Sequence, residues 1–273
     1  MANTPLIKLE NVYFKREDLN ETGSAKDRAM IFQIENLKKQ GFTNAVISST
    51  GNAAISATHF CGLNNINLTI FVSPKIDKNK FDLLKKSGSQ IFITDQPISE
   101  SIKFSKKNHS YLLRQSTDPN ALIGYQEIGK ELIAELPQIT SIFIPVGSGT
   151  TLLGISQAIN PLVKLYAVQS AANCPLSSFF DSNYQPEIEN ITDALSAKYL
   201  PLKSQIISAI KNSGGTGLII QNNEILEAQK ILESNNIKTS LEGALAFAGF
   251  KKAIKNNLDV GNYPVVVLTG CQR

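Results

Sequence analysis

Short apolar runs alternate with amphipathic stretches along most of this chain. Candidate strands are residues 45–48, 68–72, 90–93, 142–146, 165–168, 218–220 and 265–268. A further strand-like run, Asn11-Val12-Tyr13-Phe14-Lys15-Arg16-Glu17, lies near the start. The central runs are continuously apolar rather than alternating. That is the pattern of strands covered on both faces, hence of a parallel sheet between layers of helices. Apolar residues recur at helical spacing over 28–39, 52–61, 78–86, 98–107, 121–135, 152–159, 205–212, 224–233 and 243–254. The alternation of the two patterns predicts an α/β protein. Residues 172–201 have weak periodicity and are expected to be loop-rich.

Composition narrows this picture without redirecting it. A chain of 273 residues can bury one large core or two modest ones. An apolar share of 42% and a charged share of 18% are those of an ordinary globular protein. The net charge of +4 is mild, and the basic residues are scattered as doublets such as Lys38-Lys39 and Lys251-Lys252. Such doublets are solvated helix faces, so no nucleic-acid partner is expected. Cys61, Cys174 and Cys271 are odd in number and widely spaced, which does not suit a disulfide framework. With only His59 and His109 to join them, no metal site is expected. The start lacks a basic segment followed by a long apolar one, and no run of about 18 apolar residues occurs. The expectation is a reduced, cytoplasmic protein with no membrane partner.

Candidate chemistry sits at three strand–turn–helix junctions. The first is Thr22-Gly23-Ser24-Ala25-Lys26-Asp27-Arg28, where a lysine opens a helix beside small residues. An amine on a rigid element beside a cavity suits Schiff-base chemistry, because the amine must lose its proton to attack a carbonyl. A solvated first-turn lysine would read the same way. The second is Ser48-Ser49-Thr50-Gly51-Asn52-Ala53-Ala54. Its helix start would bind an anion, or it is a plain N-cap. The third is Pro145-Val146-Gly147-Ser148-Gly149-Thr150-Thr151-Leu152-Leu153-Gly154, a turn suited to cradling a phosphate. It is not a P-loop, since no Gly-Lys-Ser/Thr ends it, and its glycines do not follow the dinucleotide spacing.

The ordered set of three resembles the pyridoxal-phosphate enzymes of the tryptophan synthase β-subunit fold type, and the threonine synthase branch in particular. That branch shows Thr-Pro-Leu near its start, here Thr4-Pro5-Leu6. Its Lys-Arg-Glu-Asp-Leu-Asn-Pro-Thr-Gly-Ser-Phe-Lys-Asp-Arg stretch is matched over residues 15–28, with Glu21 for Pro and Ala25 for Phe. Its Ser-Ser-Gly-Asn-Ala-Ala is matched over 49–54, and its Pro-Val-Gly-Asn-Gly-Gly-Thr-Leu-Leu-Gly over 145–154. Ser213-Gly214-Gly215, the Glu242 helix and Leu268-Thr269-Gly270 complete a resemblance that covers nearly the whole chain.

The resemblance implies two domains, each a mainly parallel twisted sheet flanked by helices. Residues 1–40 with 123–273 would form the larger, and residues 41–122 a smaller, mobile one. It implies that Lys26 holds pyridoxal 5'-phosphate as a Schiff base and shuttles the substrate's α-proton. Gly147, Ser148, Gly149, Thr150 and Thr151 would bind the cofactor phosphate, Asn52 its ring oxygen, and Thr269 its pyridine nitrogen. Ser49, Thr50 and Gly51 would hold the substrate carboxylate beside Asn52. A hydroxyl opposite the ring nitrogen makes the ring a weaker electron sink than an Asp would, which suits elimination or replacement at the side chain. The substrate would be a small amino acid and the assembly a homodimer. Ser213-Gly214-Gly215 reads as a helix C-cap, and the Glu242 helix as core.

The chain departs from the threonine synthase pattern at one informative position. That branch carries Asn-Pro-x-Arg-x-Glu-Gly between the two loops, and its arginine helps grip the phosphate of O-phosphohomoserine. Here the stretch is Asp118-Pro119-Asn120-Ala121-Leu122-Ile123-Gly124. Asp118-Pro119 is similar to the serine/threonine dehydratases, which typically end in a Ser or Cys before Gly-Gly-Asn where this chain has Thr269-Gly270-Cys271. The first expectation is a threonine synthase-like lyase. Dehydratase-like deamination is the alternative, cysteine synthase-like replacement the third, and a non-catalytic cofactor-binding paralogue the reading from another class.

Overall fold

A computed structural model describes residues 3–76 and 78–273. Met1, Ala2 and Asp77, which fall inside the two expected domains, lie outside the described residues. In chain order the regular elements are β1 (Leu6–Leu9), β2 (Val12–Lys15), α1 (Lys26–Lys39), β3 (Asn44–Ser48), α2 (Asn52–Leu63), β4 (Asn67–Val72), α3 (Lys78–Lys85), β5 (Gln90–Ile93), α4 (Pro97–Lys107), β6 (Tyr111–Leu112), α5 (Pro119–Glu135), β7 (Ser141–Pro145), α6 (Thr150–Ser156), β8 (Lys164–Ser170), α7 (Lys203–Asn212), β9 (Thr216–Ile220), α8 (Asn222–Ser234), α9 (Leu241–Lys255) and β10 (Pro264–Val267). The fold class is α/β, with mainly parallel sheets flanked by helices. The stretch 172–201 carries only the short turns Ser177–Phe179 and Asp193–Leu195, as its weak periodicity predicts.

The chain divides into two compact units, Met1–Ala25 with Tyr125–Arg273, and Lys26–Gly124. The resemblance implied a smaller domain of residues 41–122, and the second compact unit spans Lys26–Gly124. The difference is α1, whose Met30, Ile34 and Leu37 are buried in one cluster with Ile47 of β3 and Ile70 of β4.

The first unit holds a six-stranded sheet in the order β1-β2-β10-β7-β8-β9. Only the β1–β2 hairpin is antiparallel. All five residues of β7 are buried, as continuous apolar character requires of a central strand. Phe143 of β7 stacks on Tyr166 of β8 with ring centroids 4.5 Å apart. Against this sheet lies α9, rich in alanine, with Ala244, Leu245, Ala246 and Phe247 all buried. Small residues let the helix come close: a Cβ on Gly249 would stand 2.6 Å from Val168. After α7, Gly214 adopts φ +70 and Ser213 Oγ accepts the Leu165 N–H at 3.0 Å, so this turn is the C-cap its composition predicts, fastened to β8.

The second unit holds a parallel four-stranded sheet in the order β5-β4-β3-β6. Its core joins α1 and α2 to β3 and β4 through Ala54, Ala57, Ile47 and Val72. The expectation of strands covered on both faces does not hold for β5. Phe92 is 38% exposed and Ile93 is 56% exposed, because β5 is the outermost strand and pairs with β4 alone. The lone pair of residues in β6 is held by its register with β3, Ala45 opposite Tyr111 and Val46 opposite Leu112.

Candidate active site

In the first unit the turn after β7 enters α6. Gly149 sits at the N-cap with φ +82, a left-handed conformation that glycine adopts without strain. Its missing side chain also matters, since a Cβ there would stand 2.2 Å from Ile206. A glycine N-cap has no side-chain acceptor, so it leaves first-turn N–H groups to other partners. Ser148 Oγ and Thr150 Oγ1 lie 2.9 Å apart, the Thr150 side of the pair being buried. The turn thus groups two glycines, two hydroxyls and a helix start, a donor set that fits a phosphate.

Thr269 lies just past β10, the strand beside β7. The parallel register Val266↔Phe143, carried forward, brings Thr269 level with Val146. The Thr269 side and the 147–151 turn therefore leave the same edge of one sheet from adjacent strands. The segment before Lys26 is tied to this edge. Ala25 N–H donates to Thr269 O at 3.0 Å, and Cys271 N–H donates to Gly23 O at 2.8 Å. Lys26 is the next residue after Ala25. It is half-buried and opens α1, as its position after a small-residue turn predicts.

In the second unit Ser49, Thr50, Gly51 and Asn52 link β3 to α2, and all four are half-buried. Gly51 is the N-cap and Asn52 the first helical residue. Ser49 Oγ accepts the Gly51 N–H at 3.3 Å, which shapes the loop locally and leaves α2 without a side-chain cap. Nearby, Asp118 precedes α5 and is almost fully buried. Its two oxygens accept from Gln33 Nε2 at 2.8 Å, Tyr111 Oη at 2.8 Å, Asn120 Nδ2 at 2.8 Å and the Asn120 N–H at 2.9 Å. Burial, and then this carboxylate, pushes the Tyr111 hydroxyl up to about 12. Ala121, where the threonine synthase pattern has arginine, is fully enclosed in the first turn of α5.

Three features escaped the sequence reading. Lys15 is fully buried on β2, with Nζ 2.7 Å from Glu131 and 3.0 Å from Glu135. The four-residue spacing of those glutamates, which puts both on one helix face, was the available signal. Glu242, read as core, is buried but also accepts the Ala194 N–H at 3.2 Å. Leu195, next to Ala194, packs over the 147–151 turn: a Cβ on Gly147 would stand 3.2 Å from its side chain. No local pattern could have paired residues so far apart. Among the described residues, no group of three His, Cys, Asp or Glu side chains could hold a metal, and no helix is long and apolar enough to cross a membrane.

The fold is that of an α/β protein whose first unit carries, after β7, a glycine turn with the donor set a phosphate needs. Residues 1–270 match the family described as pyridoxal-phosphate dependent enzyme, and the chain belongs to it. An L-threonine ammonia-lyase of Geobacter sulfurreducens is 26% identical over 169 residues, which is 59% of this chain and 42% of that protein. The chain therefore matches about two fifths of that relative's length. A threonine synthase of Methanosarcina acetivorans is 24% identical over 285 residues, 96% of this chain and 70% of that protein. Among solved structures, maize serine racemase superposes with a TM-score of 0.88 at 18% identity, covering 100% of this chain and 89% of its own. At that identity the likeness is one of fold.

Proposed function

We propose that this protein is a lyase that removes a side-chain group from a small amino acid, in the manner of threonine synthase. The observation that carries the reading is the hydrogen bond from Ala25 to Thr269 O. It ties the turn that precedes Lys26 to the segment just past β10, whose neighbour β7 opens into the glycine turn. The donor set of residues 147–151 suits the cofactor's phosphate, and Thr269 is half-exposed with a hydroxyl to offer its ring nitrogen. Asn52 serves the ring oxygen. Pyridoxal phosphate, when bound, supplies an aldehyde for Schiff-base formation and a ring that draws electrons from the substrate's α-carbon.

The chain's own groups do the rest. Lys26 carries the amine that binds the cofactor and then takes the proton from the substrate's α-carbon, as general base. Ser49, Thr50 and Gly51 hold the substrate carboxylate against the start of α2, where helix N–H groups and the helix dipole favour an anion. Thr269 donates or accepts one hydrogen bond without adding charge, which keeps the reaction on elimination or replacement at the β or γ carbon.

A second reading, deamination of threonine or serine, is favoured by Ala121. Enclosed and apolar, it offers no guanidinium for a substrate phosphate. The ammonia-lyase relative supports the same reading. Two measurements test the pair. The purified protein should take up pyridoxal phosphate with a visible absorption band, and borohydride reduction should fix the cofactor on the Lys26 peptide. Lys26→Ala should lose both the band and all turnover. A protein that takes up no cofactor would sink both readings. A panel of O-phosphohomoserine, threonine, serine and O-acetylserine then separates them: phosphate release marks the first, a 2-oxo acid the second.

A further inference from the structure

Resting on the lyase reading, we propose that Arg114 selects substrates carrying a second anionic group on the side chain, supplying the cation that position 121 lacks. The second unit alone carries the argument. Leu113 N–H donates to Val46 O at 2.9 Å, the last pairing of the β6 side with β3. Arg114 is the next residue, so it leaves the sheet at the carboxyl edge, the edge from which residues 49–52 depart after β3. Its backbone is fixed there. The Arg114 N–H turns back to Leu112 O at 2.9 Å, and Arg114 O accepts from Thr117 N–H at 3.0 Å and Asp118 N–H at 3.1 Å.

The side chain is half-buried, and among the described residues its guanidinium has no hydrogen bond or ion pair. The carboxylate closest in sequence does not serve it. Asp118 is taken up by the neutral donors Gln33, Tyr111 and Asn120. A half-buried guanidinium with five donors and no protein acceptor is a poor arrangement for stability. It is a good one for binding a carboxylate or phosphate in two-point fashion. The start of α2, which the lyase reading assigns to the α-carboxylate, leaves the same edge, and two electropositive features there suit a substrate with two anionic ends. O-Phosphohomoserine is of this class, as are the acidic amino acids; threonine and serine are not.

The test is equilibrium binding to the holoenzyme, read by calorimetry and by the cofactor's absorbance. The probes are a phosphonate analogue of O-phosphohomoserine with carbon in place of the bridging oxygen, L-glutamate, and neutral L-norvaline. Arg114→Gln should weaken the phosphonate by about ten- to a hundredfold and leave norvaline unchanged, the span expected for one charge-assisted contact. Arg114→Lys should fall between, keeping the charge without the fork. The phosphonate and glutamate arms distinguish a phosphate from a carboxylate side chain. Equal weakening of all probes, or none, overturns the role of Arg114 while leaving the lyase reading intact. A holoenzyme that binds none of the three overturns both.

Discussion

Two buried charged groups, one in each unit, are satisfied in opposite ways. In the first, Lys15 is buried against two glutamates, and Thr4 O accepts from the same amine at 2.7 Å. Charge meets charge, and the segment before the hairpin, β2 and α5 are fastened at one point. In the second, the buried Asp118 carboxylate is solvated by Gln33, Tyr111 and Asn120, none of them charged. Neutral donors can hold a carboxylate without consuming a cation, which is why Arg114 remains available. The sheets differ in the same sense. Strands β7 and β10 are buried throughout, whereas β5 lies half open at its edge. The lesson is that a buried charge can be held either by an opposite charge or by neutral donors, and only the second way leaves nearby cations unused.

This contrast can be broken most forcefully at Lys15. Lys15→Met leaves two carboxylates facing an apolar side chain, and should destabilise the protein by about 3–5 kcal/mol in equilibrium urea unfolding. Little or no loss would mean that the cluster is relieved by water and the first unit is less tightly fastened than its burial indicates. A smaller effect is expected at Gly215, where an added Cβ would stand 2.0 Å from Leu165 O. Gly215→Ala should cost about 1–3 kcal/mol by forcing α7's C-cap away from β8, and a melting temperature equal to wild type would contradict that. The smallest effect concerns the neutral network of the second unit. The Tyr111 hydroxyl is raised from 10.0 to about 12, by burial first and Asp118 next. A group raised in the folded state supplies stability that is complete below its unfolded value and lost as pH climbs through the folded one. Stability should therefore fall between about pH 10 and about pH 12, and Tyr111→Phe should flatten that decline in urea midpoints. If the decline is unchanged, Tyr111 is not its source.

Local pattern carried far in this chain. The strand at 90–93 has the bounds expected of it, and nine helices occupy the nine periodic stretches among the described residues. The turn at Gly214 was legible because a left-handed φ leaves a compositional mark. The strands β1 and β6 were not. The first is a short hairpin arm, and the second is two residues whose only reason to be strand is β3. Nor did the exposure of β5 leave a mark, since an edge strand and a central one can have the same apolar run.

Order along the chain thus determined the class of fold, most of the succession of elements and the three strand–turn–helix junctions, because each depends on residues within a few positions of one another. Tertiary structure alone decided that α1 packs in the second unit, that Ala25 hydrogen-bonds Thr269, that Lys15 meets Glu131 and Glu135, and that Gln33 meets Asp118. These pairings join side chains and backbones dozens to hundreds of residues apart. Their energy comes from burial and from hydrogen bonds that exist only once the sheets have formed, so no local periodicity encodes them.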